Sequence, residues 1–567
     1  MGLSGALGIA SNALDVYSTG IQVAGQNIAN ANTPGYIREQ LQVTTAPSYS
    51  ASPLILGGGV EATGVTQQVN QFLQSEILTA NSNYSASNAL NTVYTNLQQQ
   101  LGALGTNSLS SQMSNFAGAL NDLANQPSTP ALATQAVDAG TQLAGAISSL
   151  SSSIQEQQQQ ANANVQQLAT QANALITQIS QLNPQISQLN ANGGPQGQAS
   201  SLLDQQNQDL NQLSQILPIT STQNSDGSVN VYSGSNYLVL GTQVQQLKTV
   251  PAANGDVGTL NVQLSVSGEQ ITANTKGTGE LIGVLQGRDN VLGGFEQNLN
   301  SLTSNMIFQF NKIYSSGQGT DGFTTVTSDN PVSDPTAALN QAGLTFPPQN
   351  GTFQLEVTNQ VTGQTTTSTI DVNLNGTGND TTLNSLAAAI NGVANVSASV
   401  TPDGHLQIGA ASNYQIQFAN DTSNSLASLG INTFFTGTDA TNIGVDSNVT
   451  SNPQLFATAQ GGGSSDGSNA LALTQFATNP IDSLNGQSLN GYYNSIVTNI
   501  GNQASAETAM STSLNDYSQS LTSQQQQYSG VSLDQEAVQM LQYQQSYQAA
   551  AKVVTTVDQL FQSLLNI

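Results

Sequence analysis

Two matched apolar stripes at the extremes of the chain constrain its fold more than any other feature. Leu3, Leu7, Ala10, Leu14, Tyr17, Ile21, Ala24 and Ile28 follow one another at intervals of 4, 3, 4, 3, 4, 3 and 4. Met540, Tyr543, Tyr547, Ala550, Val554, Val557, Phe561 and Leu564 run 3, 4, 3, 4, 3, 4 and 3. Alternating threes and fours make the seam of helices lying side by side in a shallow supercoil. The opposite faces are Ser, Thr, Asn and Gln, with almost no charged pairs to hold an isolated helix. A two-helix hairpin of this size has little core of its own, and a large apolar side chain returns about 1.5–3 kcal/mol only when fully buried. An amphipathic helix ordinarily finds that burial on its own protein. Here both stripes lie at chain ends, share one period and are flanked by Gly/Pro or Ser-Gly breaks. The expectation is therefore that they zip together and then pack against neighbouring copies. The expected assembly interface is Leu3, Leu7, Leu14, Tyr17, Ile21 and Ile28 with Met540, Tyr543, Tyr547, Val554, Val557, Phe561 and Leu564.

Composition removes whole classes of function. The net charge is −26 on 567 residues, with only 7% of them charged. The six cations (Arg38, Lys248, Lys276, Arg288, Lys312 and Lys552) are scattered and cannot neutralise a row of phosphates. Nucleic-acid binding is excluded, and an anionic membrane surface is disfavoured on the same ground. No run approaches the roughly 18 apolar residues of a membrane span. One His and no Cys remove Cys/His zinc sites, thiol nucleophiles and His-based triads. The reading is of a non-enzyme with no catalytic, cofactor or metal site. The first cation is Arg38, so a secretory signal with a basic start is not expected, and any export would leave the N-terminus uncleaved.

Along the chain, the first helix is expected to stop near Asn30, because Asn32-Thr33-Pro34-Gly35 combines a residue held out of the α region with a flexible glycine. Residues 38–66 read as extended, and about 67–215 as Gln-rich helices broken at Pro127/Pro130 and at Gly193-Gly194-Pro195. Residues 216–275 read as strands, with Asp226-Gly227 as a hairpin turn. A helix is expected over about 279–314. Residues 320–455 become Thr/Asn/Gly-rich and alternating, interrupted by a short helix at 382–392. Helical pattern resumes near Asn469 and breaks at Ser529-Gly530 before the last helix. The fold class is mainly α with β-rich insertions, an elongated multi-domain rod with its termini together at one tip. Three domains are expected: 1–60 with 529–567 as the terminal-helix assembly domain, 61–319 with 456–528 as a helical body carrying the β segment, and 320–455 as an inserted β-rich outer domain.

Motifs of chemistry are weak. Gly277-Thr278-Gly279 lacks the ending of a phosphate loop and reads as a helix start, and Gly376-Thr377-Gly378 reads as a turn. Asp321, Asp329 and Asp334 match no calcium-loop spacing. His405 after Asp403-Gly404 fits a hairpin.

The end segments do resemble a known family. GLSGALGIASNALDVYSTGIQVAGQNIANANTPGYIREQ (2–40) is similar to the N-terminal signature of the flagellar axial proteins, with its core at Asn27, Asn30, Thr33, Pro34, Gly35 and Tyr36. SGVSLDQEAVQMLQYQQSYQAAAKVVTTVDQLFQSLLNI (529–567) resembles the same family, and its SGVSLDQEA opening resembles the hook–filament junction branch, the first hook-associated proteins. SDGSVNVYSGSNYLV (225–239) and TGELIGVLQGRDNVL (278–292) look like interior segments of that branch. The resemblance implies a structural component of the bacterial flagellum that joins hook to filament and is needed for flagellum assembly and motility. It implies export by the flagellar type III apparatus, a cytoplasmic export chaperone on the C-terminal segment, and an extracellular place at the junction. The implied partners are copies of itself, hook protein and the second junction protein. The alternatives are another axial protein (hook or distal rod) or a secreted adhesin or carbohydrate-active protein working through 320–455.

Overall fold

The structure, a computed structural model, describes all residues except 1, 34, 52–53, 104–107, 192–196, 253–258, 276–277, 462 and 567. Helix α1 (Gly2–Asn30) ends at the expected place, and Gly35 just beyond it takes φ +81°, a conformation that glycine adopts without strain. Strands β1 (Glu39–Thr45), β2 (Tyr49–Ala51), β3 (Leu54–Leu56) and β4 (Val60–Gln67) follow. β1 and β4 pair antiparallel, with a register shift between Gln42 and Val43. Next come α2 (Gln71–Ala103), α3 (Leu109–Asn125), α4 (Pro130–Ala191) and α5 (Gly197–Ile216). Pro130 opens α4, where a missing N–H has no intrahelical partner to lose. The expected break at Gly193-Gly194-Pro195 lies outside the described residues.

Strands β5 (Thr220–Gln223), β6 (Val229–Ser233), β7 (Asn236–Leu240) and β8 (Gln243–Val244) form one sheet in sequence order, and Gly227 (φ +84°) turns the first hairpin. Strands β9 (Leu247–Pro251), β10 (Leu260–Leu264) and β11 (Gln270–Ile271) form a second sheet with β10 central. The helix expected over 279–314 is not one helix. It is α6 (Glu280–Gln286), a π-helical stretch at Gly287–Leu292, and α7 (Gly293–Tyr314). Gly287 explains the interruption in part: a Cβ there would lie 2.7 Å from Val93 Cγ2. The next residue, Arg288, is buried with its guanidinium on Asp289 and Asn162.

The β-rich stretch contains β12 (Thr325–Thr327), β13 (Gly351–Asn359), β14 (Thr365–Val372), α8 (Leu383–Asn391), β15 (Val396–Val400), β16 (Leu406–Ala410), β17 (Tyr414–Ala419), α9 (Ser425–Leu429), β18 (Phe435–Thr436), β19 (Gly444–Val445) and α10 (Ser447–Ser451). β13 is the middle strand between β14 and β17, and β16 lies between β12 and β15. Helices α11 (Ser468–Leu473), α12 (Leu489–Ser529) and α13 (Leu533–Leu565) close the chain.

The chain divides into two compact units. The first comprises residues 1–93, 159–290 and 505–567. Its main core is aliphatic, including Leu168, Ile176, Leu213, Val231, Val262 and Leu285. Side-chain amides dock the strands on α4. Asn183 donates to Val229 O and Gly241 O at 2.8 Å each and accepts from Val229 N at 2.9 Å. Asn173 exchanges the same pair of bonds with Leu247. Asn162 accepts from Leu260 N, and Asn190 donates to Asp226 O. An amide carries both donor and acceptor, so each asparagine imitates a neighbouring strand's backbone. The Asn/Gln-rich composition is thus partly structural here.

The second unit comprises 94–158 and 291–504. Its centre is aromatic: Phe116, Phe310, Tyr314, Phe434, Phe435, Phe456 and Phe476 meet with ring centroids 4.8–6.1 Å apart. Gly140 is required there, because a Cβ would lie 2.4 Å from the Phe434 ring. Asn311 of α7 ties the cluster by accepting from Phe434 N and Phe435 N and donating to Phe435 O. Residues 320–455, expected as a domain apart, belong to this unit and share its core with α3 and α7 through Phe434 and Phe435.

Candidate functional site at the meeting of the two chain ends

The first unit holds both ends of the chain, with α1 and α13 side by side and antiparallel. Tyr17 and Tyr543 have ring centroids 6.4 Å apart, Gly25 lies by Met540, and Asn27 bonds Glu536. Gly20 has no room for a side chain, since a Cβ would lie 2.8 Å from the Tyr543 ring.

The buried row on α1 differs from the expected stripe. It is Ala10, Val16, Gly20, Val23, Ala24 and Asn27. Leu3, Leu14, Tyr17, Ile21 and Ile28 are only half-buried, and Leu7 is exposed. The seam is rotated because it includes Gly20, which seats the tyrosine ring, and Asn27, which bonds across it. Neither registers in an apolar count. On α13 only Glu536, Ala550 and Val557 are buried. Met540, Tyr543 and Val554 are half-buried, while Tyr547, Phe561 and Leu564 are exposed. Val553, Leu560 and Leu564, spaced seven and four, share a face beside the seam and are 46%, 49% and 59% exposed.

The turn after α1 closes the helix pair. Asn27 is 1% exposed. Its Nδ2 donates to Glu39 O at 2.9 Å and to Glu536 Oε2 at 3.0 Å. Its Oδ1 accepts from Tyr36 Oη at 2.8 Å and Glu39 N at 3.0 Å. All four bonds an asparagine side chain can make are therefore made. Arg38 completes the link: Nε donates to Glu536 Oε1 at 2.6 Å and its backbone N donates to Ser529 O at 2.9 Å. Asn30 and Thr33 shape the turn, with Thr33 N bonded to Asn30 O and Tyr36 N to Thr33 O. Pro34 lies outside the described residues. Sequence reasoning identified Asn27 and Tyr36 but missed Arg38, Glu39 and Glu536. The available signal was a cation immediately after the motif in a chain that has only six.

The electrostatics around this turn are strained. Glu39 is 2% exposed, and only the nearby Ser200 hydroxyl offsets the burial of its carboxyl. Burial pushes its pKa up. Burial also raises Asp204 to about 7, despite a 2.8 Å bond from Gln67. The Tyr36 hydroxyl is held above its usual range, mainly by burial and then by Glu39. It therefore stays protonated and donates to Asn27. A buried carboxyl with a raised pKa stabilises the fold fully below its unfolded value, and that contribution is lost as pH rises through the folded value. Wild-type stability is thus expected to fall by about 2 kcal/mol between about pH 4 and pH 7 relative to Asp204→Asn, the full shift being discounted for partial solvent access. Thermal melts of both chains across that range check it; parallel pH profiles would contradict it.

The other candidates resolve into turns. Gly279 precedes α6 at φ +108°, and Gly277 lies outside the described residues. Gly376 N is held by Asp380 and Thr377 N by Asn375. Asp321 accepts from Gln415 and Asn452, and Asp334 from Thr336. His405 follows the turn between β15 and β16, with Nδ1 2.6 Å from Ser328 O. Among the described residues no group of three or more acids or His is placed to hold a metal. None of the described helices is long and apolar enough to cross a membrane.

A buried staple thus joins the two ends, next to an apolar row left outside. Comparison with known proteins supplies the relatives. Residues 94–327 match the family described as Flagellar hook-associated protein FlgK helical domain, and residues 523–567 match Flagellar basal body rod FlgEFG protein C-terminal. Both matches are to flagellar axial proteins. The chain is 26% identical to Flagellar hook-associated protein 1 of Escherichia coli (strain K12) and 25% identical to that of Salmonella typhimurium, with all of each chain covered. The solved flagellar hook junction protein FlgK from Burkholderia pseudomallei shares the fold at TM-score 0.50 and 18% identity, covering 80% of this chain and 99% of that one. Over its whole length the chain is thus similar to flagellar hook-associated protein 1 of these bacteria.

Proposed function

We propose that this protein joins the flagellar hook to the filament by self-assembly through its terminal helices, and that flagellum assembly and motility require it. The observation that carries the reading is the row Val553, Leu560 and Leu564, left solvent-facing on a helix whose other edge is already paired. An apolar row of this length beside a coiled-coil seam is stabilised when a neighbouring helix covers it. Copies of this chain supply such helices, and hook protein and the second junction protein are the partners on either side of the assembled copies. The relatives are structural flagellar proteins, in keeping with a mechanical role and no enzymatic step. The contact between copies is assigned to the exposed members of the stripes together with Val553 and Leu560, while buried members such as Val557 hold α1 and α13 to each other. Passage through the type III apparatus, with a chaperone on the C-terminal segment, precedes assembly.

Imaging the labelled protein on intact flagella tests this reading. A single focus between hook and filament is expected. Label along the whole filament, within the hook or at the cell surface would overturn it.

A further inference from the structure

The second unit contains a cavity that the assembly reading does not use. Its volume is about 220 Å³, and it lies among α7, the 329–346 loop, α9 and the 435–438 turn. A cavity of about 150 Å³ holds a benzene ring, so this one takes a single six-membered ring with its substituents. Ile307 and Ser428 are buried at its floor. Part of its wall is an aromatic stack: Phe308 and Phe346 lie one over the other, with centroids 4.2 Å apart and planes 8° from parallel, and both rings are only half-buried.

Polar groups with spare capacity face the same space. Ser428 is 4% exposed, and its Oγ has no hydrogen-bond partner. Leaving a buried hydroxyl unpaired is unfavourable by an amount comparable to a lost hydrogen bond, so such a group calls for a partner. Asn330 donates its amide to Ser428 O at 3.0 Å, which leaves its carbonyl oxygen to accept. Asp329 accepts from Thr433 on Oδ2 at 3.2 Å, and its Oδ1 is unengaged. Burial raises the Asp329 carboxyl to about 6, with Asp446 adding to the shift and His405 opposing it, so above that pH the site carries its own carboxylate, which disfavours anions.

We infer that this cavity binds a neutral hydroxylated ring of hexose size, with its C–H face on the outer face of the Phe308–Phe346 stack and its hydroxyls on Ser428, Asn330 and Asp329. An aromatic wall opposite a carboxylate, an amide and a hydroxyl offers an apolar face and acceptors at once. A purely apolar ring leaves the acceptors unpaired, and an anionic ring meets Asp329 and Asp446. The ring comes either as a free sugar or as the end residue of an oligosaccharide.

The test is saturation-transfer NMR and calorimetry on the full chain with methyl β-glucopyranoside, a β-linked disaccharide, glucuronate and phenol. Saturable millimolar binding of the neutral glucoside is expected, with glucuronate at least about tenfold weaker. Disaccharide binding equal to or tighter than the glucoside assigns a chain end, and weaker binding assigns the free sugar. Ser428→Ala is expected to weaken glucoside binding several-fold without lowering the Tm, since its hydroxyl has no partner in the protein to lose. Phe346→Ala is expected to weaken it about tenfold or more. Lack of saturable glucoside binding by the intact chain, binding of phenol alone, or binding unchanged in both variants would overturn the assignment.

Discussion

Asn27→Leu is expected to destabilise the first unit by about 3–5 kcal/mol, the larger of the two stability effects a single change at the chain-end junction can have. The substitution keeps the volume nearly constant, so no large cavity contributes. It removes four hydrogen bonds at once and leaves Glu39 N, Glu39 O and the Tyr36 hydroxyl without partners in a buried place. It also strips one of the two groups that hold the Glu536 carboxylate, itself 1% exposed. Arg38→Ala is expected to act in the same direction at about 3 kcal/mol, because a buried charge deprived of its ion partner is poorly solvated. Lys is not an adequate replacement at 38, since the backbone bond to Ser529 survives but the directed Nε contact does not. Denaturant unfolding with amide exchange at residues 3–28 and 533–565 is the measurement. Loss of protection at both ends together is expected, because one junction holds both. If Asn27→Leu left exchange at α13 unchanged, the two ends would not be coupled through this side chain. The aromatic core of the second unit should keep its protection throughout.

Much of this arrangement is legible in the sequence, and what escapes does so for identifiable reasons. Local rules suffice for the ends of α1, for the Asp226-Gly227 hairpin and for the separation of α12 from α13 at Ser529-Gly530, since each depends on backbone preferences within a few residues. Periodicity also finds that α1 and α13 are seam-forming helices. It misplaces the seam on α1 because apolar spacing gives no weight to Gly20 or Asn27, whose roles exist only once Tyr543 and Glu536 arrive from the far end of the chain. Asn27 and Glu536 are separated by 509 positions, and one glutamate on a polar helix face carries no mark of burial. The same blindness covers the asparagines of α4. Asn162, Asn173, Asn183 and Asn190 look like solvated positions in a Gln-rich helix, yet their amides complete strand backbones. The aromatic centre of the second unit is assembled from residues as distant as Phe116 and Phe476, so the β-rich stretch looks separable in one dimension although its phenylalanines share a core with helices. The need for glycine at 287, the first residue of the π turn, likewise arises only once Val93 is packed against it.

Val553→Asp combined with Leu560→Asp is expected to abolish incorporation into flagella while leaving the folded monomer intact, and this contrast separates the two roles of α13. Both side chains are about half exposed in the single chain, so a carboxylate there stays hydrated and the monomer Tm should move by less than about 1 kcal/mol equivalent. In a contact between copies, each position forfeits about 1.5–3 kcal/mol of apolar burial and adds the desolvation of a charge. Two such positions, repeated at every contact between copies, are expected to reduce assembly by orders of magnitude. Val557→Asp is the informative opposite. Val557 is buried against the chain itself, so its replacement should unfold the helix pair first and block assembly only as a consequence. Leu14→Asp and Val554→Asp, at half-buried positions, are expected to fall between, with partial loss of end protection and complete loss of incorporation. The readouts are monomer melting, amide exchange at the ends, and the fraction of cells with filaments after complementation. If Val553→Asp/Leu560→Asp assembled like the wild type, the exposed row would not be the contact between subunits, and the outward faces of other helices would have to provide it. If the double variant instead melted early, that face would already be engaged within the single chain, and the inference from its exposure would fail with it.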